Sequence, residues 1–163
     1  MDNFNTKKKV RPMGIFTITL IAVIAAVILW FFAPTIFKVS SFEGEYQMLM
    51  TVNGRQLTAT MENTPTSYAL RRILERGSKT VSMRDYGSME KVGMLWRRLP
   101  TADQNIVTQP GDIILYMGSA IVIYYDQNAW NFTKLGHIDN VSQDELKEIL
   151  GNGNIEVKFE LTN

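Results

Sequence analysis

From Met13 to Phe37 the chain runs for 25 residues without a charged side chain. At about 1.5 Å of rise per residue, roughly 20 apolar residues cross the hydrocarbon core of a bilayer, so this run can span one with some tilt. It divides the chain at once. Residues 13–37 are expected to form one transmembrane helix or signal anchor, and any water-facing core must be built from the residues after Phe37. Trp30, Phe31 and Phe32 lie towards the far end of the run, where aromatic rings tolerate the interface. Pro34 ends or kinks the helix there. The cluster Lys7-Lys8-Lys9-Val10-Arg11 precedes the run, so residues 1–12 read as a basic cytoplasmic tail and the chain beyond Lys38 is expected outside the cytoplasm. The competing reading is a cleaved signal peptide and a secreted product. Signal peptides carry a shorter apolar region of about 7 to 15 residues and an A-x-A-like cleavage site. This run is longer and has no such site, Val39 and Ser41 being poor substitutes.

Charge separates the two parts further. The first 37 residues hold four basic residues against one acidic, and the remainder thirteen against fifteen. The main domain is therefore not basic and is not expected to bind nucleic acid, which demands clustered positive charge. There is no cysteine, which excludes disulfides, thiol chemistry and cysteine-held zinc or iron–sulfur centres.

Residues 38–45 read as a polar linker, and residues 46–163 as one domain. Tyr46–Val52 and Arg55–Met61 are two strand-like runs around Asn53-Gly54, a pair suited to the positive φ angles of a tight hairpin turn. Asn63–Gly77 reads as a helix: Thr64 caps it, Pro65 suits its first position, Gly77 its end, and Leu70, Ile73 and Leu74 form its apolar face. Lys79–Arg84 resumes alternation, and Val92–Leu99 reads as a further strand. Pro110–Asp126 is a second hairpin turned at Gly118 and Ser119, its strands so continuously apolar that they must be covered on both faces or closed into a barrel. Ser142 and Glu145 form a capping box for a second helix ended by Gly151. In the last strand Ile155, Val157, Phe159 and Leu161 share one face. Seven or eight strands with two short helices, not alternating regularly, predict a mainly antiparallel barrel or sandwich rather than a parallel βαβ sheet.

Four blocks in this order, "TVNGRQLTATMENTPTSYALRRIL", "TVSMRDYGSMEKVGMLWRRLPT", "PGDIILYMGSAIVIYY" and "LGHIDN", resemble the small bacterial cyclophilin-like domain family. The most specific pieces are Asp85-Tyr86-Gly87 with Glu90-Lys91, then Leu99-Pro100, then Gly111-Asp112-Ile113. The resemblance implies a mainly β fold: a closed antiparallel barrel of about eight strands capped by two short helices, here preceded by the membrane segment. Members of this family are generally without an established activity. True cyclophilins isomerise X–Pro bonds with an arginine followed closely by phenylalanine, methionine and glutamine. Arg84, Arg97 and Arg98 lack those neighbours, so no isomerase residues carry over.

Other chemistry is sparse. His137 is the single histidine, and without cysteine or metal-ligand spacing no metal or cofactor is expected. Serine-nucleophile and phosphate-loop motifs are absent. The candidate rim of a ligand site comprises Tyr86, Glu90, Arg97 and Arg98 from the charged stretch Met83–Thr101, Trp130 from the polar stretch Asp126–Thr133, which reads as a loop, and His137. Asp85, Gly87 and Ser88 also serve a turn, and Glu90 can pair with Arg97 or Arg98, so the stretch has a structural reading beside the functional one. The function expected is a membrane-anchored extracytoplasmic module binding a peptide or small molecule without catalysis. The alternatives are a peptidyl-prolyl isomerase acting on exported proteins, and an enzyme using Glu90 and His137 as acid and base.

Overall fold

Asn53 and Gly54 adopt φ of 49° and 76°, and this tight turn folds β1 (Tyr46–Val52) back onto β2 (Arg55–Met61) in register from Tyr46 opposite Met61 to Val52 opposite Arg55. The computed structural model describes residues 44–162. The segments expected to form a cytoplasmic tail and a membrane helix, and most of the linker, lie outside the described residues. Among the described residues no helix is long and apolar enough to cross a membrane.

Alternation sends Met48, Met50 and Val52 of β1 and Leu57, Ala59 and Met61 of β2 into one core. Helix α1 (Pro65–Leu74) comes next, with the Thr64 hydroxyl accepting the Ser67 N–H at 3.2 Å. Six further strands then assemble the barrel wall and its flank: β3 (Lys79–Tyr86), β4 (Glu90–Met94), β5 (Gln104–Val107), β6 (Asp112–Tyr116), β7 (Ala120–Tyr124) and β8 (Ala129–Ile138). Helix α2 (Gln143–Leu150) is capped by Ser142, and β9 (Ile155–Leu161) completes the chain. The order around the wall is β2-β1-β9-β3-β4-β7-β6-β8, and β8 returns to β2 through Ala59 opposite Ile138, Thr60 opposite His137 and Met61 opposite Gly136. The result is a closed, eight-stranded, wholly antiparallel barrel, as the alternating apolar pattern and the resemblance imply. Closure removes exposed strand edges.

The two helices plug opposite ends. Tyr46, at the start of β1, donates its hydroxyl to the Ser67 carbonyl of α1 at 2.8 Å. Asn53, just past the other end of β1, donates Nδ2 to the Ile149 carbonyl of α2 at 2.8 Å. The two attachment points are separated by the whole strand, on the order of 20 Å. Leu70 and Leu74 of α1, and Leu146, Ile149 and Leu150 of α2, join the same interior cluster as the strands. Strands, helices and core thus lie within residues 46–161, inside the compact unit Phe42–Asn163.

Three local expectations need correction. The strand predicted over Val92–Leu99 ends at Met94. Beyond it the backbone wraps the β6–β7 turn, with the Leu95 N–H on the Ser119 carbonyl and the Leu99 N–H on the Gly118 carbonyl, both at 2.8 Å. The turn of that hairpin is centred one residue earlier than expected, Met117 and Gly118 holding φ of 50° and 70°. The stretch Asp126–Thr133 is not a loop throughout: from Ala129 it is the first half of β8, paired with β5. That strand, only four residues long and without alternation, has no signature in the sequence; its partner lies more than twenty residues away.

Candidate functional site

The outward faces of β3, β4 and β7 are aligned by their registers. Tyr86 lies opposite Glu90 and Glu90 opposite Tyr124; Arg84 lies opposite Val92 and Val92 opposite Val122. In the third row Met94 lies opposite Ala120, which faces Tyr116 on β6. Directly opposed residues share a face, so these rows form a continuous outer surface that is largely apolar. Ile114, Val122, Tyr124 and Phe132 pack into a second hydrophobic cluster there, apart from the barrel interior. This is why the two strands of the central hairpin read as apolar on both sides. One face fills the barrel and the other is covered by Phe132, whose ring meets Tyr124 with centroids 5.6 Å apart and Tyr116 at 6.2 Å.

An open cleft of about 470 Å³ runs along this surface, a volume within the range of small-molecule sites. Its floor is set by Glu90, Val92, Val122 and Tyr124, and its rim by Tyr86, Tyr116, Met117 and Trp130. Tyr86 and Trp130 are 59% and 60% exposed, and Met94 and Met117 more so. Large apolar side chains standing in solvent around a groove are the usual mark of a binding surface.

Glu90 is the one acidic group of the cleft wall among the described residues and is only 8% exposed. The Tyr124 hydroxyl hydrogen-bonds its carboxyl, and Asn128 Nδ2 in turn donates to the Tyr124 hydroxyl at 3.2 Å. The second carboxyl oxygen, Oε2, is buried and has no hydrogen-bond partner among the described residues. Burial raises the Glu90 pKa above the ordinary 4.5, and the Tyr124 bond offsets this only in part. Burial next to that carboxyl also pushes the Tyr124 hydroxyl well above its ordinary value.

Two other carboxylates drawn into the fold are saturated. Asp112 accepts from Lys134 Nζ at 2.8 Å, pairs with His137 Nδ1 at 2.9 Å and accepts the Gln109 N–H at 2.8 Å. Burial pushes its pKa up, but these bonds together outweigh burial and hold it below 3.8. Asp85 accepts from the fully buried Lys91 Nζ at 2.6 Å and from the Tyr125 hydroxyl at 2.9 Å. The Lys91 bond is the main cause of its lowered pKa. Lys91 also donates to the Gly151 and Gly153 carbonyls; it points into the barrel end under α2, away from the cleft.

Of the residues singled out from sequence, the structure brings Tyr86, Glu90 and Trp130 together on the cleft. Arg98 donates Nη2 to the Met117 carbonyl at 2.9 Å and clamps the β6–β7 turn instead of lining the cleft. Arg97 is exposed on the wrapping segment. Neither pairs with Glu90; Arg84 is the arginine on the cleft wall. His137 is bound to Asp112 on β8, three strands from Glu90 in the order β4-β7-β6-β8. At about 4.8 Å per strand that is on the order of 14 Å along the sheet, beyond the reach of a shared proton-transfer step, which ends the acid–base pairing of Glu90 with His137. Tyr124, Asn128 and Tyr116 carry no signal of a site in the sequence. The one available clue is the two-sided apolarity of the hairpin, which demands a covering element on its outer face. Among the described residues no group of three or more His, Asp or Glu is placed to hold a metal ion.

A closed barrel bearing an aromatic-rimmed groove on its outer wall defines the structural class. A family model, the Cyclophilin-like family, matches residues 50–160, which is most of the chain. The chain belongs to that family. The solution structure of a hypothetical protein from Archaeoglobus fulgidus superposes with a TM-score of 0.51 at 14% identity, covering 72% of this chain and 95% of that one, a likeness of fold alone. No curated protein matches the sequence.

Proposed function

We propose that this chain is a membrane-anchored, extracytoplasmic binding module, in which the cyclophilin-like barrel is a rigid scaffold and the outer-wall cleft takes a peptide or small-molecule ligand without chemical conversion. The observation that carries it is the ring of exposed Tyr86, Met94, Met117 and Trp130 around an apolar floor. The uncharged run of residues 13–37 behind a basic flank supports the anchoring.

The test is an NMR titration of residues 42–163 with a library of unstructured peptides and small fragments. Shifts should cluster on Tyr86, Tyr116, Met117 and Trp130, and the double variant Trp130→Ala, Tyr86→Ala should weaken binding by about tenfold or more, as loss of aromatic anchors does. Hits that map elsewhere on the barrel would remove the cleft from this role. A proline-isomerisation assay on the same fragment addresses the catalytic alternative, which requires a rate above the spontaneous tens-to-hundreds of seconds. For the anchor, the intact chain should resist alkaline extraction from membranes while its barrel is digested by protease added outside the cell. A mature amino terminus near Phe42 would establish secretion instead.

A further inference from the structure

We propose that the cleft selects small organic cations, an alkyl- or aryl-ammonium whose charged head meets the Glu90 carboxylate and whose apolar body lies along Val92, Val122 and Phe132. The inference rests on the binding-module reading and names the ligand chemistry of that same site.

The buried and part-buried carboxylates of the barrel differ in their partners. Asp85 and Asp112 each have a cationic partner and filled acceptor positions. Glu90, buried like Asp112, pairs with no cation among the described residues, and its Oε2 has no hydrogen-bond partner among them. A buried polar atom left unpaired costs free energy that a partner would recover, and a charged partner recovers most. Glu90 sits in a strand whose neighbours across the sheet are tyrosines, and neither of them supplies a positive charge. The Asn128 amide donates to the Tyr124 hydroxyl at 3.2 Å, and that hydroxyl bonds the carboxyl. A carboxyl without a cationic partner on the wall of an apolar groove is complementary to a donor carrying positive charge. The rings at the rim add a second attraction of the same sign, because aromatic faces favour ammonium groups. Oε2 is closed to solvent in the free protein, so contact needs a side-chain rotation at the floor, a common accompaniment of binding.

Arg84 is the one cation on the cleft wall among the described residues, and it stands opposite Val92, one row away from Glu90. It defines the competing possibility, an anionic ligand, and so the test carries three isosteric probes: 2-phenylethylamine, 2-phenylethanol and phenylacetate. Each is titrated into residues 42–163, a unit whose barrel and core close within its own residues, by calorimetry with NMR mapping at neutral pH. The amine should bind about tenfold or more tighter than the alcohol and the carboxylate, the worth of one charge-assisted bond. Its shifts should centre on Tyr124, Asn128 and Trp130. Glu90→Gln should bring amine and alcohol within about threefold of each other, while Arg84→Ala, which removes the like charge from the wall, should not lower the amine preference. Equal binding of amine and alcohol, or preference for phenylacetate, would overturn the cation assignment and leave the binding-module reading standing. An amine preference that survives Glu90→Gln would overturn the role of Glu90. Absence of amine binding at millimolar concentration also overturns the inference, with the peptide titration then deciding the module reading separately. Wild-type selectivity among the three probes stands as evidence even if the Glu90→Gln variant proves unstable.

Discussion

Glu90 carries a cost at the scale of a single residue. Its raised pKa means that the folded state holds a proton that the unfolded chain has already released above about 4.5. Where the folded state binds more protons, stability falls as pH rises. Glu90→Gln removes that slope, so the melting temperature of the variant relative to wild type should rise over the range that begins at about pH 4.5. A constant difference across that range would mean that Glu90 is ionised and solvated in the fold. Gly136 is the converse case, a residue the fold cannot enlarge. A Cβ there would stand 2.6 Å from the Thr60 carbonyl oxygen and 2.7 Å from the Met61 sulfur, just where β8 closes the barrel on β2. Gly136→Ala should cost about 1–3 kcal/mol, the range for overpacking a tight interior, measured by urea denaturation.

At the scale of elements, the helix starts and the first turn were legible because each depends on chemistry within a few residues. Thr64 and Pro65 start α1, Ser142 starts α2 with its hydroxyl on the Glu145 N–H, and Asn53-Gly54 makes the first hairpin. The second hairpin differs from expectation by one residue because its turn puts Met117, not a glycine or asparagine, at φ of 50°. A side chain there is strained by about 1 kcal/mol, and Met117 stands on the cleft rim, the kind of place where backbone strain collects in ligand-contacting segments. Met117→Asn restores the favoured Asn-Gly turn and should raise stability by about 0.5–1 kcal/mol while weakening ligand binding at the rim. A gain in stability without loss of binding would show that Met117 does not contact the ligand. Lys91 joins β4 to the loop after α2 through Asp85, Gly151 and Gly153. Lys91→Met should cost about 3 kcal/mol or more, since it leaves a part-buried carboxylate and two carbonyls without their donor. Thermal unfolding at pH 7 gives the measure.

For the whole molecule, Asp85 and Asp112 contribute to the acid limb of stability together with the exposed Asp126, whose pKa the Gln127 N–H and Lys147 also lower. Asp85 and Asp112 have pKa values lowered below 3.8 in the fold, so their stabilisation is complete above that value and is lost as pH falls through the lowered values. Asp112→Asn and Asp85→Asn should therefore flatten the fall in melting temperature below about pH 4, leaving the region above about pH 5 offset but parallel. The opposite slope from Glu90 acts above 4.5, so the two effects are separable in one pH series.

What the sequence determined by itself is whatever is written in neighbouring residues: the uncharged run of residues 13–37, the alternation of β1, β2 and β9, the helix caps, and a barrel-like inventory of antiparallel strands. It also pointed to Tyr86, Glu90 and Trp130 by residue type, though not to their meeting. Only the tertiary structure decided which of the charged residues share a surface. Register between β3, β4 and β7 sets Tyr86, Glu90 and Tyr124 in one row, the wrapping of Leu95–Leu99 takes Arg98 to a turn carbonyl, and strand order carries His137 to the far side of β6. The pairing of β5 with β8 brings Trp130 and Phe132 over the outer wall. Each of these depends on contacts between residues far apart in the chain, whose energies come from burial and cross-strand packing and leave no local mark.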